Sequence, residues 1–146
     1  MIGSLKGLLT TFKTFFRRPV TVQYPDEHLP LAPRFRGFPG LIYDVEADEP
    51  KCTGCAVCAR NCPTNCITVT SRENEKFAQG KSKRRRIVED MHIDLGRCIV
   101  CGICVEVCPF DALEMSHKHE VSSYRSQDLV VGKAVLLRWD KEKKEK

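Results

Sequence analysis

The sequence predicts an α+β domain made of two similar halves, preceded by an amphipathic helix and an extended arm. Three observations predict it. A run of four cysteines closed by proline occurs twice, as Cys52-x2-Cys55-x2-Cys58-x3-Cys62-Pro63 and Cys98-x2-Cys101-x2-Cys104-x3-Cys108-Pro109, offset by 46 residues. A short alternating segment follows each run, Ile67-Thr68-Val69-Thr70 and Ala112-Leu113-Glu114-Met115, in the pattern of a half-buried strand. Six of the eight prolines fall between residues 19 and 50, which rules out a regular helix there.

The elements follow in order. Residues 1–18 read as a helix stopped by Pro19. On a wheel of about 100° per residue, Ile2, Leu5, Leu8, Leu9, Phe12, Phe15 and Phe16 share one arc, flanked by Lys6, Lys13 and Arg17. A helix packed on its own domain would look similar. Aromatic turns flanked by cations, ahead of a proline-rich arm, favour an interface helix at a membrane surface or a membrane subunit. Residues 19–50 form the arm, 51–116 the duplicated domain, and 117–146 a C-terminal extension. Ile87-Val88-Glu89-Asp90-Met91-His92-Ile93-Asp94 reads as a further strand ahead of the second run. The polar insertion 71–86 contains Lys81-Ser82-Lys83-Arg84-Arg85-Arg86, a solvated loop or a patch for an acidic partner; no interleaved aromatics support nucleic-acid binding. Asp140–Lys146 reads as a solvated or disordered tail, and His117 and His119 as surface polar residues near the second half.

A chain of 146 residues has room for about one domain with extensions. No signal-peptide pattern opens it, and no stretch of about 18 apolar residues could span a bilayer. Nine cysteines in such a chain are expected to be metal ligands in a reducing compartment rather than disulfides. The formal charge of +5 counts them as neutral, and as thiolates they would lower it.

Two intact runs of this spacing are the bacterial dicluster iron–sulfur pattern, in which the fourth cysteine serves the other cluster. Three cysteines within seven residues wrap one cubane, while the fourth sits about one helical turn later and is aimed elsewhere. The expected sets are therefore Cys52, Cys55, Cys58 and Cys108 for one [4Fe–4S] cluster, and Cys98, Cys101, Cys104 and Cys62 for the other, in a ferredoxin-like dicluster domain. Zinc is the alternative, but its structural sites need only four ligands, typically as two pairs. Cys66, the ninth cysteine, is expected to be a small buried hydrophobe, since Ala112 stands in its place in the second half. Gly54 and Gly102, read as counterparts, allow the close backbone approach that N–H donors to sulfur need. Ala56, Val57, Ile99, Val100, Ile103, Val105 and Val107 supply an apolar shell.

Beyond the cysteines, the chain resembles the 23-kDa-type iron–sulfur subunit family of respiratory complex I, subunit I of the bacterial NADH–quinone oxidoreductases. The resemblance rests on Arg18-Pro19-Val20-Thr21-Val22-Gln23-Tyr24-Pro25, Pro33-Arg34-Phe35-Arg36-Gly37, both cysteine runs, and Tyr124-Arg125-Ser126-Gln127-Asp128-Leu129. It implies a peripheral membrane subunit on the cytoplasmic side of a bacterial inner membrane, with its helix along the membrane surface. It also implies other subunits of the complex as partners, with single electrons passing through both clusters toward a terminal cluster elsewhere and, indirectly, quinone. Catalysis by the isolated chain is not expected. The alternatives are a free dicluster ferredoxin and the equivalent subunit of a membrane hydrogenase-type complex.

Overall fold

The fold is described from a computed structural model covering residues 2–144. The chain divides into two compact units, one ending at Leu31 and the other beginning at Ala32. In the first, helix α1 (Ile2–Phe15) is followed by an arm without regular structure. Pro19 disfavours helix at Arg18, and the Arg17 N–H closes the final turn on the Thr14 carbonyl at 3.1 Å. Thr10 and Thr14 return their hydroxyls to the carbonyls of Lys6 and Thr10, both at 2.9 Å, which satisfies the polar side of the helix locally. The opposite side is uncovered. Leu5, Leu8, Leu9, Phe12, Phe15 and Phe16 are all at least 65% exposed.

The second unit repeats the interlock on the scale of strands. Strand β1 (Pro39–Leu41) precedes the first cysteine run and pairs antiparallel with β6 (Leu113–Met115), which follows the second. Strand β5 (Arg86–Asp94) precedes the second run and pairs antiparallel with β4 (Ile67–Glu73), which follows the first. Helices α2 (Val57–Arg60) and α4 (Ile103–Glu106) keep the 46-residue offset and pack on each other between the two pairs. All three strands expected from alternation are present, two of them longer than expected. The arm is not extended throughout. It ends in β1 and in a small hairpin of β2 (Tyr43–Asp44) and β3 (Glu49–Pro50).

Two regions depart from expectation. The C-terminal segment adds β7 (Val130–Gly132) to the edge of β5 and continues into helix α5 (Lys133–Lys144), where a solvated tail was expected from Asp140 on. Leu136 is fully buried and Trp139 is 5% exposed, both facing the core beside β1, with the Phe38 and Trp139 rings 6.3 Å apart. Burying each such side chain contributes about 2 kcal/mol, and Val135 and Leu137 add partly buried apolar surface beside them. The last two residues of the predicted tail, Glu145 and Lys146, lie outside the described residues.

The insertion is folded as well. Helix α3 (Glu75–Ala78) is capped by Asn74, whose Oδ1 accepts from the Lys76 N–H at 3.0 Å. The Asn74 amide donates to Glu49 at 2.9 Å and to the Arg84 carbonyl at 2.9 Å. Glu49, 2% exposed, also accepts from Ser82 at 2.5 Å and Arg84 at 2.8 Å, and Arg84 reaches Asp44 at 2.6 Å. Burial raises the Glu49 carboxyl, but the bonds from Ser82, Asn74 and Arg84 outweigh it and hold the group below its ordinary range. The basic run is thus split: Arg84 is turned inward as a clamp on the hairpin, while Lys81, Lys83 and Arg85 remain exposed.

Candidate metal centres

The repeated backbone shapes both cysteine loops. Three pairs of residues at the 46-residue offset have positive φ: Gly54 and Val100 (72° and 54°), Ala56 and Gly102 (58° and 82°), and Asn65 and Asp111 (49° and 45°). Gly54 and Gly102 are therefore not counterparts, as first read. Each glycine is matched by a non-glycine held in the same left-handed conformation. Consecutive reversals of this kind fold each loop back so that its thiols face one space. A side chain at Gly54 would meet the Ser71 Cβ at 2.5 Å, so strand β4 closes directly over the first loop. A side chain at Gly102 would meet the tip of Arg36 at 3.2 Å and, in ordinary contact, the Met115 sulfur at 3.9 Å.

Cys62 crosses between the halves. It lines one cavity together with Cys98, Cys101, Cys104 and Cys66, with Pro39, Pro63, Ile99 and Met115 also in the wall. Cys108 crosses the other way. Its charge is felt by Cys52 and Cys58, whose other sulfur neighbour is Cys55. Burial pushes the Cys58 thiol up to about 11, with the neighbouring thiols adding to it. Burial likewise pushes Cys104 up to about 12, followed by the charges of Cys58, Cys98 and Cys101. Cys58 on α2 and Cys104 on α4 are carried by helices that pack on each other. These thiols keep their protons until a metal displaces them, so loading releases protons and weakens in acid.

Backbone N–H groups aim at sulfurs of both groups. Gly54 donates to Cys52 at 3.4 Å and Ala112 to Cys108 at 3.3 Å, while Ala59 and Val105 serve Cys58 and Cys104 at matching positions. Cys62 receives the backbone N–H groups of Thr64 and Cys66 and, in addition, lies 3.5 Å from the Thr64 hydroxyl and 3.4 Å from the Cys66 sulfur. Burial works to raise Cys62, but these bonds outweigh it and lower the thiol, while burial leads in raising Cys66. Guanidinium groups lie beside both loops. Arg60 donates to the Cys55 carbonyl at 3.3 Å, and Arg36 lies over Gly102 with Glu106 3.9 Å away.

Of the expected side chains, Cys62, Cys98, Cys101 and Cys104 line one cavity, and Cys66 is buried as expected. Reading the sequence misses its contact with Cys62 and the roles of Thr64, Arg36 and Arg60. A signal for the first was available in Cys62-Pro63-Thr64-Asn65-Cys66, where two sulfur-directed donors follow the crossing ligand. His117 and His119 present their rings edge-on to Phe35, at 6.5 and 5.0 Å between centroids.

The donor chemistry fits iron–sulfur cubanes. Among the described residues no group of three His, Cys, Asp or Glu side chains is placed to hold a single metal ion. Fold and thiols together define a dicluster iron–sulfur protein with two [4Fe–4S] clusters. A family described as "4Fe-4S dicluster domain" matches residues 51–120. NADH-quinone oxidoreductase subunit I 1 of Geobacter sulfurreducens is 43% identical over 136 residues, spanning 91% of this chain and 94% of that one. A second such subunit, from Geobacter metallireducens, is 41% identical over 91% of this chain and 95% of its own length. The chain belongs to the subunit I family of the NADH–quinone oxidoreductases. Among solved structures, a chain of an archaeal respiratory membrane complex, the membrane-bound sulfane sulfur reductase, aligns with TM-score 0.52 and 30% identity, over 82% of this chain and 56% of that one.

Proposed function

We propose that this chain is an electron-transfer subunit of a membrane-associated NADH–quinone oxidoreductase. In this reading Cys52, Cys55, Cys58 and Cys108 hold one [4Fe–4S] cluster, and Cys98, Cys101, Cys104 and Cys62 hold the other. The clusters supply one-electron chemistry; the chain holds them, insulates them and sets their spacing. The single observation carrying the relay is the packing of α2, which carries Cys58, against α4, which carries Cys104, because electron hopping falls steeply with distance. Crossed ligands at Cys62 and Cys108 also lock the halves together, so the spacing is fixed by the fold. Hydride chemistry and quinone reduction belong to partner subunits, and no turnover is expected from the chain alone.

Helix α1 is the membrane-facing element of this proposal. Its row of exposed Leu and Phe flanked by Lys6, Lys13 and Arg17 suits the boundary between headgroups and acyl chains at the cytoplasmic face of a bacterial inner membrane. Among the described residues no helix is long and apolar enough to cross a bilayer. Purification of the tagged full-length chain from membranes tests the reading. Co-purifying partners with a quinone site are expected, and a soluble, partner-free chain would contradict it. The likeness to the sulfane sulfur reductase chain supports a second reading, the equivalent subunit of a complex with another acceptor, and the identity of the partners separates the two.

A further inference from the structure

The duplicated halves supply their two crossing ligands with different hydrogen-bond donors. Cys108 accepts from the Ala112 N–H at 3.3 Å, and the side chains at the positions equivalent to Thr64 and Cys66 are Phe110 and Ala112, which donate nothing. Cys62 has the equivalent N–H from Cys66, a further N–H from Thr64, and two polar side chains besides, Thr64 Oγ1 at 3.5 Å and Cys66 Sγ at 3.4 Å. Once Cys62 is a metal-bound thiolate it has no proton to give. The Thr64 hydroxyl and the Cys66 thiol must then be the donors.

Other influences are closer to balanced. Ala59 and Val105 donate at matching positions, and guanidinium groups lie beside both loops, Arg60 on the Cys55 carbonyl and Arg36 above Gly102. Arg36 is partly offset by Glu106 at 3.9 Å. The Thr64 segment is also held in place, because Arg97 donates to the Thr64 carbonyl at 2.7 Å. Hydrogen bonds to cluster sulfurs stabilise the more negative, reduced state and raise its potential.

We propose that Thr64 and Cys66 raise the reduction potential of the cluster completed by Cys62 above that of the cluster completed by Cys108. They are positioning residues that act through a ligand, and they give a symmetric pair of sites a direction: an electron shared between them rests on the side of Cys98, Cys101 and Cys104. The inference rests on the crossed ligand sets proposed above. Cys66 is then more than the small hydrophobe its burial suggests.

The test is an EPR-monitored redox titration of the full-length chain loaded with both clusters, the two signals having been assigned by Cys55→Ser and Cys101→Ser. Cys66→Ala and Thr64→Val should each shift the reduction equilibrium of the Cys101-dependent signal about fivefold toward oxidised, roughly 40 mV at about 59 mV per decade for one electron. Cys66→Ser, which keeps a donor, should restore most of that shift, as a merely space-filling residue would not. A shift confined to the Cys55-dependent signal would overturn the crossed ligand sets and the proposal with them. Unchanged potentials in both single variants would overturn the proposal and leave the ligand sets standing.

Discussion

The first and second halves of the duplicated domain share a backbone and differ in what presses against it. Positive φ recurs at the same three offsets, and α2 and α4 occupy equivalent positions. Yet the glycine of the first loop, Gly54, lies hard against Ser71 of β4, whereas the glycine of the second, Gly102, at a different position in its loop, lies under the flexible tip of Arg36. The first half alone is followed by an insertion that clamps the β2–β3 hairpin through Arg84 and Glu49. Two copies of one loop can thus hold like cofactors while their surroundings diverge, and the divergence is where function is adjusted.

Substitutions at the glycines should break the comparison most sharply. Gly54→Ala puts a methyl group 2.5 Å from the Ser71 Cβ, which neither backbone can avoid, at a left-handed position. Overpacking and the backbone penalty together should cost about 3 kcal/mol. Gly102→Ala incurs only the second and should cost about 1 kcal/mol, since Arg36 can swing aside. Denaturant unfolding of the two variants measures the difference; equal losses would mean that the loops are packed alike.

Removing the clamp is the next largest effect. Arg84→Ala leaves the buried Glu49 with Asn74 and Ser82 only and should destabilise the chain by about 2 kcal/mol. Glu49 is held below its ordinary range, so its contribution is present above its unfolded pKa and is lost as pH falls through the lower folded value. The wild-type advantage over Arg84→Ala, followed by thermal unfolding from neutral pH into the acid range, should therefore shrink on acidification. A gap that stays constant would remove Glu49 from the account.

The smallest effect should have the opposite sign. Ala56 occupies the left-handed position that Gly102 fills in the other half. Ala56→Gly relieves about 1 kcal/mol of strain and costs slightly less in chain entropy, for a net gain of about 0.3 kcal/mol. A clear loss in the same unfolding assay would mean that the Ala56 methyl packs where the glycine cannot.

Much of this was legible in the sequence, for reasons that differ by element. The cysteine spacing is covalent arithmetic, so the two crossed sets proposed here follow from it directly. Strands β4, β5 and β6 follow from alternation, because one side of each is buried. Helix α5 was hidden because only Leu136 and Trp139 are deeply buried in a stretch otherwise rich in charge, and the lysines dominate the composition. Arg84 was hidden in a basic run whose neighbours are solvated, since its partners Asp44 and Glu49 lie some 35 to 40 residues away in the chain. The contact of Cys66 with Cys62 depends on side-chain direction within one turn, which spacing alone leaves open.

The crossing of ligands between halves is the central claim, and paired spectroscopy tests it most directly. Cys62→Ser and Cys108→Ser would be prepared in the full-length chain and compared by EPR with Cys101→Ser and Cys55→Ser. Cys62→Ser should perturb the same signal as Cys101→Ser, and Cys108→Ser the same signal as Cys55→Ser. If Cys62→Ser instead perturbed the Cys55-dependent signal, each run would complete its own cluster and the interlocked account would be wrong.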